Sequence, residues 1–465
     1  MSNRSYYIAA VFVMILISFN VFYRLADYPP QDWDESRHGI SAYEMIMNNN
    51  YITHSYLNQK DMWNLKPPLG FWPITLSYRV FGCNMLGLRF PSALFAVLTV
   101  LLTMLIARKT AGNFASIMAG VILAATQGFI FLHSARTGDF DTFFTMLNTL
   151  CVFFMLLTEK NRNYIYLCAL CIAAAFLAKS FAAVQTFFVL VVFLAVTGEW
   201  KNYKPGQAVV FILCLVLPVA AWAAARYQQD GLVFFRTMFS YDLVARSTRP
   251  LEGHTGNILF YFRILDRIGL WPLFLPSLYF IWKEKQAGRC TTAVLVWIGV
   301  CFFIMSCVRT KGIIYAHVLY PAIAIMLGHG ISAMWGVESI RKKFRYVLAA
   351  AFVIFGLFAE IVDYQRLVKE ASAPQPALLT ALPRPQNRNK TILFSGRNFS
   401  QAEYFTLEVL LGYKVEKMQD MFNDEAEFFK KSPAGSLLAV KKTGAAYKFR
   451  SKVVLKNPEY IVYKN

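Results

Sequence analysis

Three motifs decide the fold of this chain: QDWDESRHG (residues 31–39), NLKPPLGFW (64–72) and GLRFPSALF (87–95). They mark a polar stretch over residues 31–91, between two apolar runs that are each long enough to cross a bilayer as a helix. The stretch carries two adjacent carboxylates, several Arg and Lys residues and a Pro-Pro pair, which a simple connector does not need. It therefore predicts a polar site at the membrane surface, which the remaining spans build and enclose.

The composition is typical of a polytopic membrane protein and excludes an ordinary soluble one. Of the 465 residues 57% are hydrophobic and 16% aromatic, and the mean hydropathy is +0.41. Only a helix satisfies its own backbone hydrogen bonds in lipid, so the apolar runs predict about eleven helical spans, within a range of about ten to thirteen. We expect them near residues 6–26, 86–107, 114–133, 140–157, 163–178, 181–197, 207–225, 270–283, 291–308, 313–335 and 345–363.

The cations of the short connections predict the orientation. If the N-terminus is cytoplasmic, the inner connections near 108–109, 160–162, 201–204, 283–289 and 341–345 all hold Lys or Arg, as the positive-inside rule requires. The first long loop and the C-terminal part then lie on the extracytoplasmic side. Arg136, Lys179 and Lys311 face that side as well. Such an excess predicts an anionic ligand there, a phosphate near the headgroup plane, and the net charge of +20 suits lipids better than nucleic acid.

The composition changes at about residue 371, where APQPALLTALPRPQNRNK is typical of a linker. We predict a transmembrane catalytic domain over residues 1–365, with the first extracytoplasmic loop at 28–85, a linker at 366–389 and a small α+β domain at 390–465. Strands are expected at 391–396, 413–418, 435–442 and 460–465, and helices at 402–412 and 424–431. The small domain shows no catalytic pattern, which leaves packing or acceptor docking as its role.

Each candidate residue has a functional and a structural interpretation. Asp34 and Glu35 are either the first turn of an amphipathic surface helix or carboxylates that accept a proton, or orient an acceptor, at the membrane surface. Lys66, ahead of two prolines, is either a snorkelling lysine on a rigid turn or a phosphate contact. The charges of HSARTGDFD (residues 133–141) either pair with one another at the interface or line a site. Lys179 is either an ordinary loop residue or a further contact to the phosphate.

Taken in order, DESRHG, KPPLGFW, LRFPSALFA, ARTGDFDTFF, FLAKSFAAV and KGIIYAHVLYPAIAIMLG resemble motifs of the polyprenyl-phosphate-sugar-dependent membrane glycosyltransferases of the GT-C class. The resemblance is greatest to the aminoarabinose lipid A transferases and protein O-mannosyltransferases, glycosyltransferase families 39 and 83. It implies a GT-C fold: an all-α polytopic domain of about 11 to 13 helices with a structured first loop, followed by the small soluble domain.

The resemblance also implies roles for particular residues. Asp34 matches the first-loop acid required for transfer, Asp141 matches a second acid in the same cavity, and Glu35 is a further catalytic candidate. The residues expected to bind the donor phosphate are Arg37, Lys66, Lys179 and Lys311, and those expected to line the substrate cavity are His38, Arg136, Asp139 and His254.

The chain departs from the family pattern at two positions. Leu65 stands where relatives often carry a glutamate associated with a metal, so His254 alone remains as a possible metal ligand. His38 stands where an aromatic residue is common, so donor contacts are expected to differ. We expect no required cofactor, with a divalent metal as the alternative.

The predicted function is sugar transfer, with inversion, from a polyprenyl-phosphate donor to a lipid, glycan or protein acceptor on the extracytoplasmic face. Lipid A modification and protein O-mannosylation are the two examples that the resemblance offers. A bacterial inner membrane is the expected location, and no nucleic-acid partner is expected. The alternatives are a flippase for lipid-linked sugars and an oligosaccharyl or polymer-ligating enzyme of related fold. The charged residues of this chain gather at one membrane interface. Transporters commonly place charges near the bilayer midplane instead, so this distribution favours an enzyme over a flippase.

Overall fold

The computed structural model describes residues 1–465 except 264–272, 284–287, 337–341, 386–390, 395–398, 418–428, 430–431, 433, 443–450 and 457. The predicted inner cations at 285 and 341, and most of the predicted helix at 424–431, lie outside the described residues.

The described chain is mainly helical, as the apolar runs predict. The first nine helices are α1 (Asn3–Phe22), α2 (Asp34–Met47), α3 (Trp72–Phe81), α4 (Met85–Ala124), α5 (Gln127–Phe131), α6 (Asp141–Leu157), α7 (Tyr164–Lys179), α8 (Val184–Thr197) and α9 (Pro205–Asp230). Later helical segments are Val233–Thr237, Met238–Ala245, Arg246–Thr248, Phe260–Phe262, Phe274–Lys283, Arg289–Cys307, Ile313–Val318, Leu319–Gly336, Lys342–Ala371, Ala377–Ala381, Gln401–Phe405 and Thr406–Leu411. Each predicted span overlaps a helix, so the polytopic all-α architecture is confirmed.

Six helical segments in the described part of the chain are long and apolar enough to cross a membrane: Asn3–Phe22, Met85–Ala124, Tyr164–Thr197, Pro205–Asp230, Arg289–Cys307 and Ile313–Trp335. Two of them each overlap two predicted spans. The Met85–Ala124 segment breaks at Gly112, whose φ of 82° is accessible to glycine but costly for other residues. The Tyr164–Thr197 segment breaks at Ser180. The chain is therefore an integral membrane protein.

The described residues divide into two compact units. The first comprises Met1–Tyr23, Met62–Gly70 and Pro91–Val368, and the second comprises Arg24–Asp61, Phe71–Phe90 and Lys369–Asn465. This division differs from the predicted domains, because most of the first loop shares a unit with the C-terminal residues. Residues 345 or more positions apart make these contacts, and sequence patterns do not reveal such pairings. The predicted boundary at 365 lies close to the division at Val368.

The second unit contains a five-stranded sheet with the strand order β4-β3-β5-β7-β6. Its strands are β3 (Thr391–Phe394), β4 (Lys414–Lys417), β5 (Leu437–Lys441), β6 (Lys452–Lys456) and β7 (Tyr460–Lys464), and a short hairpin of β1 (Ser55–Tyr56) and β2 (Gln59–Lys60) belongs to the first loop. Strand β3 pairs in parallel with β4 and β5, whereas β5–β7 and β6–β7 are antiparallel. The small α+β domain and four of its strands are confirmed, and β6 is an addition.

Helix α2 is buried over nearly its whole length, from Glu35 to Met45. An amphipathic helix on a free surface would expose its polar side. The surface-helix interpretation of residues 34–47 is therefore wrong, and the polar residues of this helix need partners inside the second unit.

Candidate functional site

Asp34 is the first residue of α2 and is half-buried. The residue before it, Trp33, has φ 65° and ψ −118°, a conformation that residues other than glycine rarely adopt. Such strain persists only where surrounding contacts impose it, and it concentrates at functional sites. The helix dipole favours the charged form of a carboxylate at this position. The catalytic role of Asp34 stays a prediction, with which these two features agree.

Glu35 has a structural environment instead of the predicted catalytic one. It is 1% exposed, and its two carboxylate oxygens accept from Arg89 Nε and Nη2 at 2.7 and 2.9 Å. The backbone N–H of Gln31 donates to the same carboxylate at 2.7 Å. Arg89 is fully buried and lies 3.4 Å from the centre of the Tyr28 ring. A carboxylate engaged in this way is poorly placed to accept a proton, so we assign Glu35 to the support of the turn before Asp34.

Arg37 forms a buried ion pair in the second unit. Its Nη2 donates to Asp61 Oδ2 at 2.8 Å, and its guanidinium carbon lies 3.9 Å from the centre of the Tyr56 ring. Burial raises the pKa of the Tyr56 phenol, which stays protonated. His38, which is 1% exposed, packs edge-to-face on Phe71 with the ring centres 5.7 Å apart. Asp61 and Tyr56 were not among the predicted site residues.

Lys66 belongs to the first unit, on the turn that follows buried Leu65. Its Nζ lies 5.5 Å from the centre of the Phe140 ring. The same ring packs on Gly70, where an added Cβ would lie 2.5 Å from Phe140 Cδ2. Glycine is therefore required for the turn to approach the segment that precedes α6.

Asp141 and Lys179 form an ion pair in the first unit, with 2.5 Å between Asp141 Oδ1 and Lys179 Nζ. Asp141 begins α6 and Lys179 ends α7. The next residue, Ser180, has φ 55° and ψ −139°, a second strained non-glycine position beside a predicted site residue. The predicted role of Lys179 as an ordinary loop residue is thus disfavoured.

A second acid, Asp139, lies close to Asp141 in sequence and is 3% exposed. His133 Nδ1 is 3.4 Å from its carboxylate Oδ2, and the Ser92 hydroxyl donates to its backbone carbonyl at 2.9 Å. His133 has φ 47°, in the left-handed region of the backbone. Asp139 is therefore a fixed part of the turn that leads into α6.

Arg136 contacts the end of a helix, an environment different from the predicted substrate cavity. It is 1% exposed, and its Nη1 donates to the carbonyls of Asn20, Val21 and Tyr23 at 3.0, 3.1 and 3.0 Å. The last carbonyls of α1 have no partner within the helix, so a cation there completes their hydrogen bonds and complements the dipole. This geometry assigns Arg136 to the packing of α1.

Lys311 has a similar environment. It is 4% exposed, and its Nζ donates to the carbonyls of Met305 and Ser306, at the end of the helix Arg289–Cys307, at 2.9 and 2.5 Å. Burial lowers the pKa of Lys311. The predicted phosphate contact is therefore disfavoured, since this ammonium already neutralises a helix end.

His254 is exposed, and its carbonyl accepts the Lys311 backbone N–H at 3.0 Å. Among the described residues, no group of three or more His, Cys, Asp or Glu side chains close enough to share a metal includes His254. The metal alternative based on His254 gains no support from this position.

Arg246 and Tyr315 extend the charged cluster around the Asp141–Lys179 pair. Arg246 Nη1 donates to the Tyr315 hydroxyl at 3.1 Å, and Arg246 Nε pairs with Asp242 Oδ1 at 3.1 Å. The phenol of Tyr315 is in turn within electrostatic reach of Lys179 and Asp141. Tyr315 was not among the predicted site residues, although it lies within the quoted KGIIYAHVLYPAIAIMLG motif.

Comparison with solved structures identifies the fold. A structure of ArnT from Cupriavidus metallidurans bound to undecaprenyl phosphate matches with a TM-score of 0.75 at 16% identity, over 99% of this chain and 98% of that one. The chain has the GT-C fold. A second GT-C structure, the oligosaccharyltransferase AglB from Archaeoglobus fulgidus, matches with a TM-score of 0.53 at 11% identity over 94% and 69% of the two chains.

Sequence comparisons point to the same class. The family model for dolichyl-phosphate-mannose-protein mannosyltransferases matches residues 65–222. A relative from Aquifex aeolicus, with no activity in its name, is 29% identical over 357 residues, 73% of this chain and 65% of that protein. The undecaprenyl phosphate-α-4-amino-4-deoxy-L-arabinose arabinosyl transferase of Pseudomonas aeruginosa strain UCBPP-PA14 is 26% identical over 329 residues, 68% of this chain and 59% of that protein. The chain thus spans less than two thirds of the length of these two relatives. The predicted resemblance to GT-C polyprenyl-phosphate-sugar glycosyltransferases is confirmed.

Proposed function

We propose that this protein is an integral membrane glycosyltransferase that uses a sugar on a polyprenyl phosphate as its donor. The observation that carries the proposal is the 26% identity to an undecaprenyl phosphate arabinosyl transferase over 68% of this chain, together with the GT-C fold. The flippase alternative has no representative among the relatives named above. The acceptor is a lipid, a glycan or a protein, reached from the extracytoplasmic side.

The donor is expected to need a cationic contact for its phosphate and an apolar surface for its chain. Arg37 and Lys66, matched by resemblance, are our candidates for the phosphate. The first unit also contains an apolar cleft of about 550 Å³, bordered by Phe176, Phe187 and Val219 on α7, α8 and α9. We assign the polyprenyl chain to this cleft, because its lining offers apolar side chains to an apolar ligand.

The proposed reaction is a single displacement with inversion at the anomeric carbon. The acceptor oxygen forms a bond to that carbon as the bond to the phosphate oxygen breaks. Asp34 takes the acceptor proton as general base, and the cations stabilise the charge that develops on the leaving lipid phosphate. By resemblance, Asp141 is our candidate for the second acid of the family pattern, and its ion pair with Lys179 fixes its position. No proton transfer is required of Glu35.

Transfer from a defined donor tests the proposal. The purified protein in nanodiscs is supplied with undecaprenyl phosphate carrying different radiolabelled sugars and, in separate reactions, with a lipid, glycan or protein fraction as the acceptor. The labelled product is then separated from the donor. We expect Asp34→Asn to lower the rate by at least about a hundredfold, the contribution typical of a general base. Exposed Asp27→Asn is the matched control, because it changes a nearby acid of the same unit that pairs with exposed Arg24 and begins no helix. Full transfer by the Asp34→Asn variant would remove the assigned role.

A separate measurement tests on which side of the membrane the proposed reaction takes place. Lys60 and Lys160 are both exposed, one in the first loop and one in a predicted inner connection. Single cysteines at these positions, in a variant without its native cysteines, are treated with a membrane-impermeant maleimide in intact cells. We expect labelling at position 60 only. Labelling at position 160 alone would place the first loop in the cytoplasm and contradict the proposed acceptor side.

A further inference from the structure

Two buried carboxyl groups meet where α2 contacts the C-terminal part of the second unit. Glu44, near the end of α2, is 1% exposed, and Glu408, on the helical turn Thr406–Leu411, is 3% exposed. The two side chains lie within hydrogen-bond reach of each other. Two carboxylates are both acceptors, so only a proton held between them can make this contact favourable.

The remaining contacts leave room for that proton. Glu44 Oε1 accepts the backbone N–H of Asn58 at 2.8 Å. The Oε2 atoms of Glu44 and Glu408 are each buried and accept no hydrogen bond from any donor in the described part of the chain. Burial is the main cause that raises the pKa of both carboxyls. The charge of Glu44 and its hydrogen bond raise the pKa of Glu408 further, whereas the hydrogen bond to Glu408 partly opposes the rise at Glu44. A shared proton satisfies both orphan atoms at once.

The pair lies within a larger interface between the same two segments. Gly39 packs on Phe405 so closely that an added Cβ would overlap the ring. The backbone N–H of Ala402 donates to Asp32 Oδ1 at 3.2 Å, and Asn58 Nδ2 donates to the Val415 carbonyl at 3.3 Å. The carboxyl pair is therefore one anchor of an interface that fixes α2, the helix that begins with Asp34.

We propose that Glu408 is a positioning residue, which holds α2 in its docked position through a proton shared with Glu44 and thereby makes the docking sensitive to pH. The consequence for activity rests on the proposed function, because it requires that α2 present Asp34 and Arg37 to the substrate. The docking itself stands on the contacts alone. It gives the C-terminal domain a role in building the site helix, beyond packing or acceptor docking.

The direction of the pH effect follows from the raised carboxyl pKa values. A group whose pKa is raised by folding contributes stability below its ordinary value, here 4.5, and loses that contribution as the pH rises through its value in the folded protein. The docking is therefore tightest in acid and weakens as the shared proton leaves.

Other titratable groups on the elements that pack against the pair already have partners of their own. Arg37 pairs with Asp61, and Glu403 pairs with Lys441. The titratable residues in those segments whose side chains the structure describes are Asp34, Glu35, Arg37, His38, Tyr43, Tyr56, Lys60, Tyr78, Arg79, Glu403, Tyr404, Tyr413, Lys414 and Glu416. Of these, Tyr56 interacts electrostatically with Glu408, and it stays protonated across the range of the experiment.

Amide hydrogen exchange of the full-length protein in nanodiscs tests the proposal without any substrate. Wild type and Glu408→Gln are compared at the same pH, between about pH 5 and about pH 9, which cancels the intrinsic pH dependence of exchange. Gln keeps the shape and supplies a permanent donor to Glu44. We expect equal protection of α2 at low pH. Above the apparent pKa of the pair, exchange in the wild type becomes faster than in Glu408→Gln by up to about tenfold per pH unit.

Glu416→Gln is the matched control, because Glu416 lies on β4 of the same unit and pairs with exposed Lys414. It should follow wild type at every pH. Equal exchange of Glu408→Gln and wild type throughout the range would overturn the proposal, and Glu44→Gln provides the same comparison if the first variant does not fold. In transfer assays, Glu408→Gln should shift the alkaline limb of the pH profile to higher pH. Activity that survives in Asp34→Asn would contradict the proposed function and leave the exchange result standing.

Discussion

Replacing Arg89 by Met provides the sharpest test of how the turn before Asp34 is held. Arg89 makes two bonds to Glu35 and three to the carbonyls of Leu25, Tyr28 and Pro29, and both charged groups are essentially excluded from solvent. Methionine fills similar apolar volume but leaves the Glu35 carboxylate buried without its cation. Removing one partner of a buried ion pair costs about 3–5 kcal/mol. Three carbonyls also lose their hydrogen-bond donor, so we expect the free-energy cost of Arg89→Met to lie in the upper part of that range.

The double variant separates the charge from the packing. Arg89→Met with Glu35→Leu removes both charges, and replacement of a whole buried pair by apolar residues is often neutral or stabilising. We therefore expect the double variant to be more stable than Arg89→Met alone, a coupling that distant residues do not show.

The measurement is amide exchange of residues 24–47 in the folded protein, because membrane proteins seldom unfold reversibly. Arg79→Met is the control, since Arg79 is exposed on α3 and bonds the Tyr51 hydroxyl at 2.5 Å. It should change the local opening free energy by about 0.5 kcal/mol or less. Arg89→Met should lower that energy by several kcal/mol and reduce transfer by about a hundredfold through displacement of Asp34. Protection in Arg89→Met equal to that in Arg79→Met would refute this account of the turn.

Three further predictions concern other parts of the chain. Lys179→Met should impair transfer more than the double variant with Asp141→Asn, because the single change leaves Asp141 buried without its cation; equal rates would mean that the pair is not coupled. Gly39→Val should lower the melting temperature, since the new side chain would meet Phe405. The control in the same unfolding measurement is Gly356→Val, because an added Cβ at Gly356 meets nothing within 4 Å. Because Leu65 replaces the metal-associated glutamate of the family pattern, chelation with EDTA should leave transfer unchanged, and recovery of a lost rate by Mn²⁺ or Zn²⁺ would contradict this.

The sequence predicted the helical spans and the strands of the small domain because each depends on local patterns. Apolar length defines a span in lipid, and short alternating runs define strands. Strand β6 was missed because KVVLK is brief and exposed, with little periodicity to read. The site residues depend on contacts between distant segments. Glu35 and Arg89 are 54 positions apart, and Glu44 and Glu408 several hundred, so their pairings require the folded chain.

The buried cations show a second limit of sequence reasoning. Arg136 and Lys311 are both charged residues at the expected side of the membrane, and charge alone favoured a phosphate ligand. In the structure each donates to the carbonyls at a helix end. Which carbonyls are left without a partner depends on where a helix stops, and boundaries are the least certain feature of a sequence-based prediction.

The second unit combines segments from early and late in the chain, and this sets the order in which its parts can assemble. Roughly 280 residues separate Phe90 from Lys369, and at about 5–20 residues per second their synthesis takes on the order of tens of seconds. During that interval, the segment that becomes α2 has been made while Phe405 and Glu408 do not yet exist. Throughout that interval the carboxyl groups and apolar side chains of the nascent first loop are therefore uncovered. Proteases and chaperones can reach it only in this window, so truncation before residue 400 should shorten the lifetime of the chain even where every membrane span is intact.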